Sequence, residues 1–382
     1  MAPCWHAVRS PRVPQATAPP PPLRRFDDLP GPRGLPLVGN LLQIQPDRLH
    51  LQMAQWCREH GPVFKLKLGG RKAVVFGDHS LVQATLRDRP EGFRRTSRLR
   101  EIVEEMGLQV GVFNATGDAW KRQRRMVMHG FDPGHVRRYM PSLQGVAQRL
   151  VQRWQAAADL QATDAQAAID LQADLMRYTV DTIAGLAFGA TVNTLQTDDD
   201  VIQRHLDTIF PAITRRVFAP LPLWRWFPSQ ADRDLQRNAT MRLKPVAPML
   251  PQQALRSSTV GGVQIDEGMI VFGLMRVDSV SDAHIPNAAQ FDPQRWLGDG
   301  KPGQVASAAR RTSMPFGAGP RICPGRYLAL LEMKMAMAVL LQNFDIERVD
   351  TPDGQPPAEQ LNFTMTPVGL RMRLKRRVMT PV

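Results

Sequence analysis

The chain has 382 residues, of which 43% are apolar and 22% charged, which suffices for one large or two smaller globular domains with a sizeable core. Its three cysteines, Cys4, Cys57 and Cys323, stand far apart, which excludes a disulfide framework and fits a reducing, cytoplasmic setting; no run of 18 apolar residues exists to cross a membrane. The formal charge of +14 points first to nucleic acid, but the basic residues are scattered and no standard binding motif occurs, so nucleic acid is not expected as a partner.

Residues 1–28 read as a disordered leader. Arg9, Arg12, Arg24 and Arg25 lie in its first 25 residues without an acid, and Pro19 to Pro22 stand in a row. An organelle-targeting role is an alternative that the prolines oppose. A single domain is expected over 29–382. It enters through two turn-rich stretches, Pro30-Gly31-Pro32-Arg33-Gly34 and Pro36 to Asn40. The pattern then predicts an amphipathic helix over 49–60, stopped by Gly61-Pro62. Val63 to Leu68 alternates apolar and polar, and with Gly69-Gly70 and Ala73 to Phe76 it predicts a hairpin. Helices follow over 79–88 and from Asp118 to Gly130. On the latter, Trp120 and Arg124 share a face because they stand four residues apart.

From Met140 to Ala187 the period is helical, and another helix is expected over 198–210 before a proline–aromatic turn at 220–228. Met241 to Pro248 reads as a helix end followed by an extended segment. Thr259 to Ile265 and Met269 to Phe272 read as two short strands around a turn, and Phe291 to Trp296 as a loop.

The densest signal is Phe316-Gly317-Ala318-Gly319-Pro320-Arg321-Ile322-Cys323-Pro324-Gly325, directly before an apolar helix-like run from Tyr327 to Leu341. It places a single cysteine at the end of a glycine-rich loop. Gly317, Gly319 and Gly325 permit tight turns that aim backbone N–H groups at the sulfur, and with the helix N-terminus these favour a thiolate. Two other cysteine chemistries are excluded: a cysteine-held zinc, because no CxxC pair exists, and the phosphatase spacing C-x5-R, because residue 329 is Ala.

This loop resembles the cysteine-ligand loop of the haem-thiolate monooxygenases, the cytochrome P450 family. All six fixed positions of that loop are met by Phe316, Gly317, Gly319, Arg321, Cys323 and Gly325. The resemblance spans roughly residues 29–235 and 240–375, is closest to soluble bacterial-like members, and takes in the proline-rich lead-in. It implies a mainly α fold with a small β region and haem b (iron protoporphyrin IX) ligated by Cys323. Such a thiolate pushes electron density onto haem iron and favours O–O cleavage. Trp120, Arg124 and Arg321 would hold the propionates, and Phe316 would lie over the proximal face. The implied activity is insertion of one oxygen atom from O2 into a small apolar organic substrate. Electrons would come from NAD(P)H through a ferredoxin or flavin reductase, for which a basic face offers steering. Val246, Ala247 and Met249 are candidates for the pocket wall, with ordinary core packing as the alternative.

Two elements that the resemblance calls for are missing. One is a Glu-x-x-Arg helix whose pair locks with the loop arginine, here Arg295. Arg242 falls at its Arg, but three positions earlier stands Ala239. A Glu-x-x-Arg at Glu91 to Arg94 lies in the wrong region. The other is a long central helix with an acid–threonine pair. Only fourteen largely polar residues, Pro228 to Met241, separate Phe227 from Arg242, and Asp181-Thr182 belongs to a helix of another kind. An internal deletion near 237–240 accounts for both, leaving a P450-like fold incomplete in the middle. An inactive truncated product and a peroxide-driven peroxygenase are then the alternatives to a monooxygenase.

Overall fold

The computed structural model describes residues 22–105, 111–164, 167–189, 191–197, 216, 248–288, 290, 292, 305–362 and 364–377. Helix α1 (Leu49–His60) buries Leu49, Met53, Trp56 and Cys57, the i, i+4, i+7, i+8 stripe of a core-facing helix, and stops at Gly61 with φ of 90°. Strands β1 (Val63–Leu68) and β2 (Arg71–Phe76) form the expected antiparallel hairpin around Gly69. Helix α2 (His79–Arg87) begins at Asp78, whose carboxylate accepts from the Ser80 and Leu81 amides.

The main sheet joins distant parts of the chain. Beside β2 lies β8 (Ile270–Leu274), parallel to it, then β5 (Met249–Ala254) and β3 (Phe93–Arg95) in the order β1-β2-β8-β5-β3. Thr259 to Ile265, expected as one strand, is a hairpin of β6 (Ser258–Val260) and β7 (Val263–Ile265). Gly261 and Gly262, both at positive φ, turn the chain between them. Order also reaches back into the expected leader. Phe26–Asp28 makes a 3-10 turn that buries Phe26 in the sheet core, and Arg24 bridges to Val263. A buried aromatic ring under Lys65 and Lys72 fixes this segment despite its leader-like composition.

The helical side holds α3 (Ser97–Glu105), α4 (Gly117–Gly130), α5 (Pro133–Arg138), α6 (Met140–Thr163), α7 (Leu171–Phe188), α8 (Val305–Thr312) and α9 (Arg326–Asn343). Its core gathers Leu143, Leu150 and Trp154 of α6, Leu340 of α9, and Met372 and Leu374 of β12 (Arg371–Arg376). Trp154 meets Phe344 edge-on and donates its indole N–H to Asp174, a carboxylate shared with Arg153 and Arg177. Strands β4 (Ile169–Asp170), β9 (Phe344–Asp350), β10 (Ala358–Asn362) and β11 (Thr364–Val368) complete the described architecture, with β12 between β4 and β9. The fold is mainly α with a smaller β part, as expected. The expected helix over 198–210 and turn over 220–228 lie outside the described residues.

Helix α9 is apolar on two faces. Leu328, Ala336 and Leu340 are buried, while Tyr327, Leu330, Met333, Met337 and Leu341 on the opposite side are each more than 40% exposed. Glu332 sits among the buried positions, facing Tyr139 and Tyr178, with its Oε1 lacking a hydrogen-bond partner among the described residues. Burial raises its carboxyl to about 8. The folded state therefore holds this proton more tightly than the unfolded chain, so the group's stability is full below about pH 4.5 and is lost as pH rises through about 8. A Glu332→Gln chain should lack this decline, ending more stable than the parent at pH 8 by on the order of 4 kcal/mol. Urea unfolding of both chains at pH 5 and pH 8 checks this; parallel pH profiles would exclude it.

Candidate active site

The cysteine loop lies between the two cores. Met314 packs into the sheet core, and Ala318 lies against it. The Gly317 amide donates to Met314 O and the Cys323 amide to Phe316 O, each at 2.9 Å, which closes the loop into a ring ahead of α9. Gly317 and Gly319 have φ of 73° and 70°, conformations that a side chain resists. Gly319 has a second reason to be glycine, since a Cβ there would lie 2.3 Å from Leu86 O at the end of α2. Gly325 departs from expectation. Its φ is −81°, an ordinary value, and it forms the N-cap of α9. A Cβ there would meet Phe131 at 3.6 Å and Cys323 Sγ at 4.0 Å, ordinary contact distances, so neither the backbone nor a Cβ clash demands glycine at this position. Cys323 is a free, partly exposed thiol. No amide donates to its Sγ among the described residues; its own amide is spent on Phe316 O.

Helix α4 brings Trp120 and Arg124 to this loop as their spacing predicts. Arg124 Nη2 donates to Ile322 O at 2.5 Å, one residue from the cysteine. The Arg321 guanidinium stacks 4.4 Å from the centre of the buried Trp120 ring, and its Nη2 donates to Ala115 O at 2.7 Å. Its Nε is buried without a hydrogen-bond partner among the described residues.

Two further arginines, which the sequence reading missed, join this group. Arg95 of β3 lies with its guanidinium 3.6 Å from the Phe113 ring centre and donates Nε to Phe113 O. Arg89 is buried and donates to Leu86 O and Ala318 O, tying the loop to α2. Burial depresses Arg95 to about 9 and Arg89 and Arg321 to about 10, with the positive neighbours in the group adding to each. Arg124 is lowered too, chiefly by burial, with the Cys323 sulfur pulling the other way. Among the described residues no carboxylate pairs with any of the four. Several desolvated guanidiniums without an acid are costly, and backbone carbonyls offset only part of that cost. The arrangement thus fits a multiply charged anion.

That chemistry matches the two propionates of a haem whose iron meets Cys323. The residues present therefore fit haem b: Cys323 for the metal, and Trp120, Arg124, Arg321 and Arg95 for the carboxylates. No sequence signal marked Arg95, since Arg94-Arg95 reads as a solvated basic run. Arg94 reaches across to Gln253 of β5, which leaves the Glu91 to Arg94 match without an ion-pair role. Asp181 and Thr182 are likewise structural. Asp181 accepts from Thr194 and pairs with Arg149, and Thr182 Oγ1 donates to Tyr178 O. Met249 opens β5 inside the core shared by α1 and β8, which is the packing alternative rather than a pocket wall. Arg242, Val246, Ala247 and Arg295 lie outside the described residues.

Known proteins place this chain. The sequence profile of the cytochrome P450 family matches residues 29–241 and 238–374. Among curated proteins, the chimpanzee (Pan troglodytes) steroid 17-alpha-hydroxylase/17,20 lyase is 39% identical over 121 residues, 31% of this chain and 23% of that protein. Its cat (Felis catus) counterpart is 34% identical over 141 residues, 36% and 27% respectively. The counterpart from Squalus acanthias is 30% identical over the same length. The aligned part spans about a quarter of these relatives. With the family profile covering most of its length, the chain belongs to the cytochrome P450 family.

Proposed function

We propose that this chain binds haem b through Cys323 and inserts one oxygen atom into a small apolar organic molecule. The observation that carries this is the group of four arginines around the cysteine loop, Arg89 buried and Arg95, Arg124 and Arg321 half-buried, with no carboxylate partner among the described residues. When bound, the haem supplies an iron at which dioxygen or peroxide is activated, helped by the thiolate. The chain's residues position it. Arg124, Arg321, Arg95 and Trp120 hold the propionate edge. Arg124 also sets a positive charge beside the sulfur, and the closed ring from Phe316 to Cys323 fixes the sulfur's place. The apolar substrate class agrees with relatives named for steroid hydroxylation. A ferredoxin or flavin reductase is the proposed electron donor. No helix of the described residues is long and apolar enough to cross a membrane.

A second reading concerns the oxidant. We infer an internal deletion near 237–240 that removes the central helix and the acid of the Glu-x-x-Arg helix, leaving Arg242 and Arg295 without the carboxylate between them. Two observations favour it. The family profile matches in two stretches that meet at 238–241. The exposed stripe of Tyr327, Leu330, Met333, Met337 and Leu341 makes α9 a helix that is apolar on two faces, the kind that packs on more than one side. Without an acid–threonine pair to deliver protons, the chain is suited to peroxide, whose oxygen arrives already reduced. An inactive product is the remaining alternative.

Expression with haem, followed by reduction and carbon monoxide, should give the red-shifted band specific to a thiolate ligand, and Cys323→Ser should abolish it. The absence of haem absorbance, or a band that survives in the variant, would defeat the proposal. Product formation with peroxide but none with a reductase and NAD(P)H selects the peroxide reading; turnover with the reductase overturns it. Arg95→Gln and Arg321→Gln should each weaken haem retention about tenfold or more, as expected for losing one partner of a desolvated charge contact. Haem transfer to apomyoglobin measures this, and unchanged transfer rates would show that these arginines do not face the propionates.

A further inference from the structure

Away from the cysteine loop, three side chains converge that no part of the proposed oxygen chemistry uses. His79 is the first residue of α2, Asp278 opens a 3-10 turn after β8, and His284 follows six residues later. His79 Nδ1 lies 2.8 Å and His284 Nε2 3.3 Å from Asp278 Oδ2, and all the ligand atoms fall within 4.8 Å of one another. The two imidazole rings meet edge to face at 5.1 Å. The His79 amide also donates to Oδ2 at 2.7 Å, so Oδ2 faces three nitrogens while Oδ1 has no partner among the described residues.

We propose that His79, Asp278 and His284 form a binding site for a divalent transition metal, with zinc the best match. Two imidazoles and a carboxylate are the donor set that zinc takes at sites that leave one position open. The spacing agrees. Ligand atoms about 2.0–2.1 Å from one metal stand about 2.9 Å apart in octahedral and about 3.4 Å apart in tetrahedral geometry. The two distances to Asp278 Oδ2, 2.8 and 3.3 Å, lie close to that range, and all three ligand atoms fall within 4.8 Å of one another. The His79 amide provides the outer hydrogen bond that orients a ligating carboxylate. Asp278 is buried, whereas the His284 side chain is about 31% exposed, so a metal and its water can enter from that side. With neutral imidazoles the site carries one negative charge in an otherwise basic protein.

The place of this site gives it a role. It joins the turn after β8 to the first residue of α2, and the other end of α2 is the surface on which Gly319 of the cysteine loop rests. A bound metal would act as a clip that stiffens the support of that loop. The inference stands whether or not haem binds.

Titration of the full chain with Zn2+ alone and with Co2+ alone tests it. One equivalent should bind and raise the thermal midpoint, and bound Co2+ should show d–d bands without the sulfur-to-metal charge-transfer band that a cysteine ligand produces. His284→Ala, a change at a half-exposed position, should weaken binding at least tenfold and remove the thermal shift. Asp278→Asn, of equal size, should do the same. His129→Ala combined with His135→Ala, which alters the other histidine pair, should change neither. Equal affinity in the parent and His284→Ala chains, loss of binding in the His129/His135 control, or a sulfur band in the cobalt spectrum would overturn the assignment.

Discussion

Positive charge drawn partly out of water, with no carboxylate partner among the described residues, governs the region around Cys323. Four guanidiniums, one buried and three half-buried, converge where β3, α2, α4 and the cysteine loop meet. Their described partners are neutral: the carbonyls of Leu86, Phe113, Ala115, Ala318 and Ile322, and the rings of Phe113 and Trp120. A carbonyl dipole or an aromatic face stabilises a cation by a fraction of what hydration supplies. The arrangement is therefore incomplete as an electrostatic unit until an anion enters. A ligand bearing two carboxylates at one edge and a metal that accepts sulfur answers both halves of the site at once, which is why the arginines and the cysteine are best understood together.

Much of this was legible in the sequence, for identifiable reasons. The helices over 49–60 and 118–130 and the hairpin of β1 and β2 are written in local period and in glycine punctuation, so short-range physics suffices to find them. The loop from Phe316 to Gly325 is a dense local pattern, and Trp120 with Arg124 is a spacing on one helix. What escaped depends on long-range pairing. Arg95 becomes buried only because β3 joins β5, a partner more than 150 residues away, and nothing in Phe93-Arg94-Arg95 announces that. Asp278 and the two histidines are brought together by the parallel pairing of β2 with β8, which again no local window contains. Gly325 erred in the opposite sense. Its presence reads as conformational freedom, while its φ is one that any residue adopts.

Helix α9 ties these threads. Its N-terminus receives the chain directly from Cys323, its buried side carries Glu332 into an apolar setting, and its outer side exposes five large apolar residues. A globular protein with one core seldom invests in such a helix unless a further element packs on it. On the proposed deletion, the stripe is the surface that a partner helix would cover.

The cysteine loop can nevertheless keep its form, because its supports do not run through the junction. One side rests on the sheet core, where β1 and β2 from before the junction pair with β8 and β5 from after it. The other rests on the helical core, where α6 from before packs with α9, Phe344 and β12 from after. Each core is stitched from both parts of the chain by contacts that bypass the missing segment. On the proposed deletion, loss of the central helix would strip apolar cover from α9 without cutting either core, so the part of the site that would hold a cofactor and the part that would deliver protons to it are physically separable. By that separation a chain of this kind could keep a metal-binding thiol without the pair that delivers protons to dioxygen.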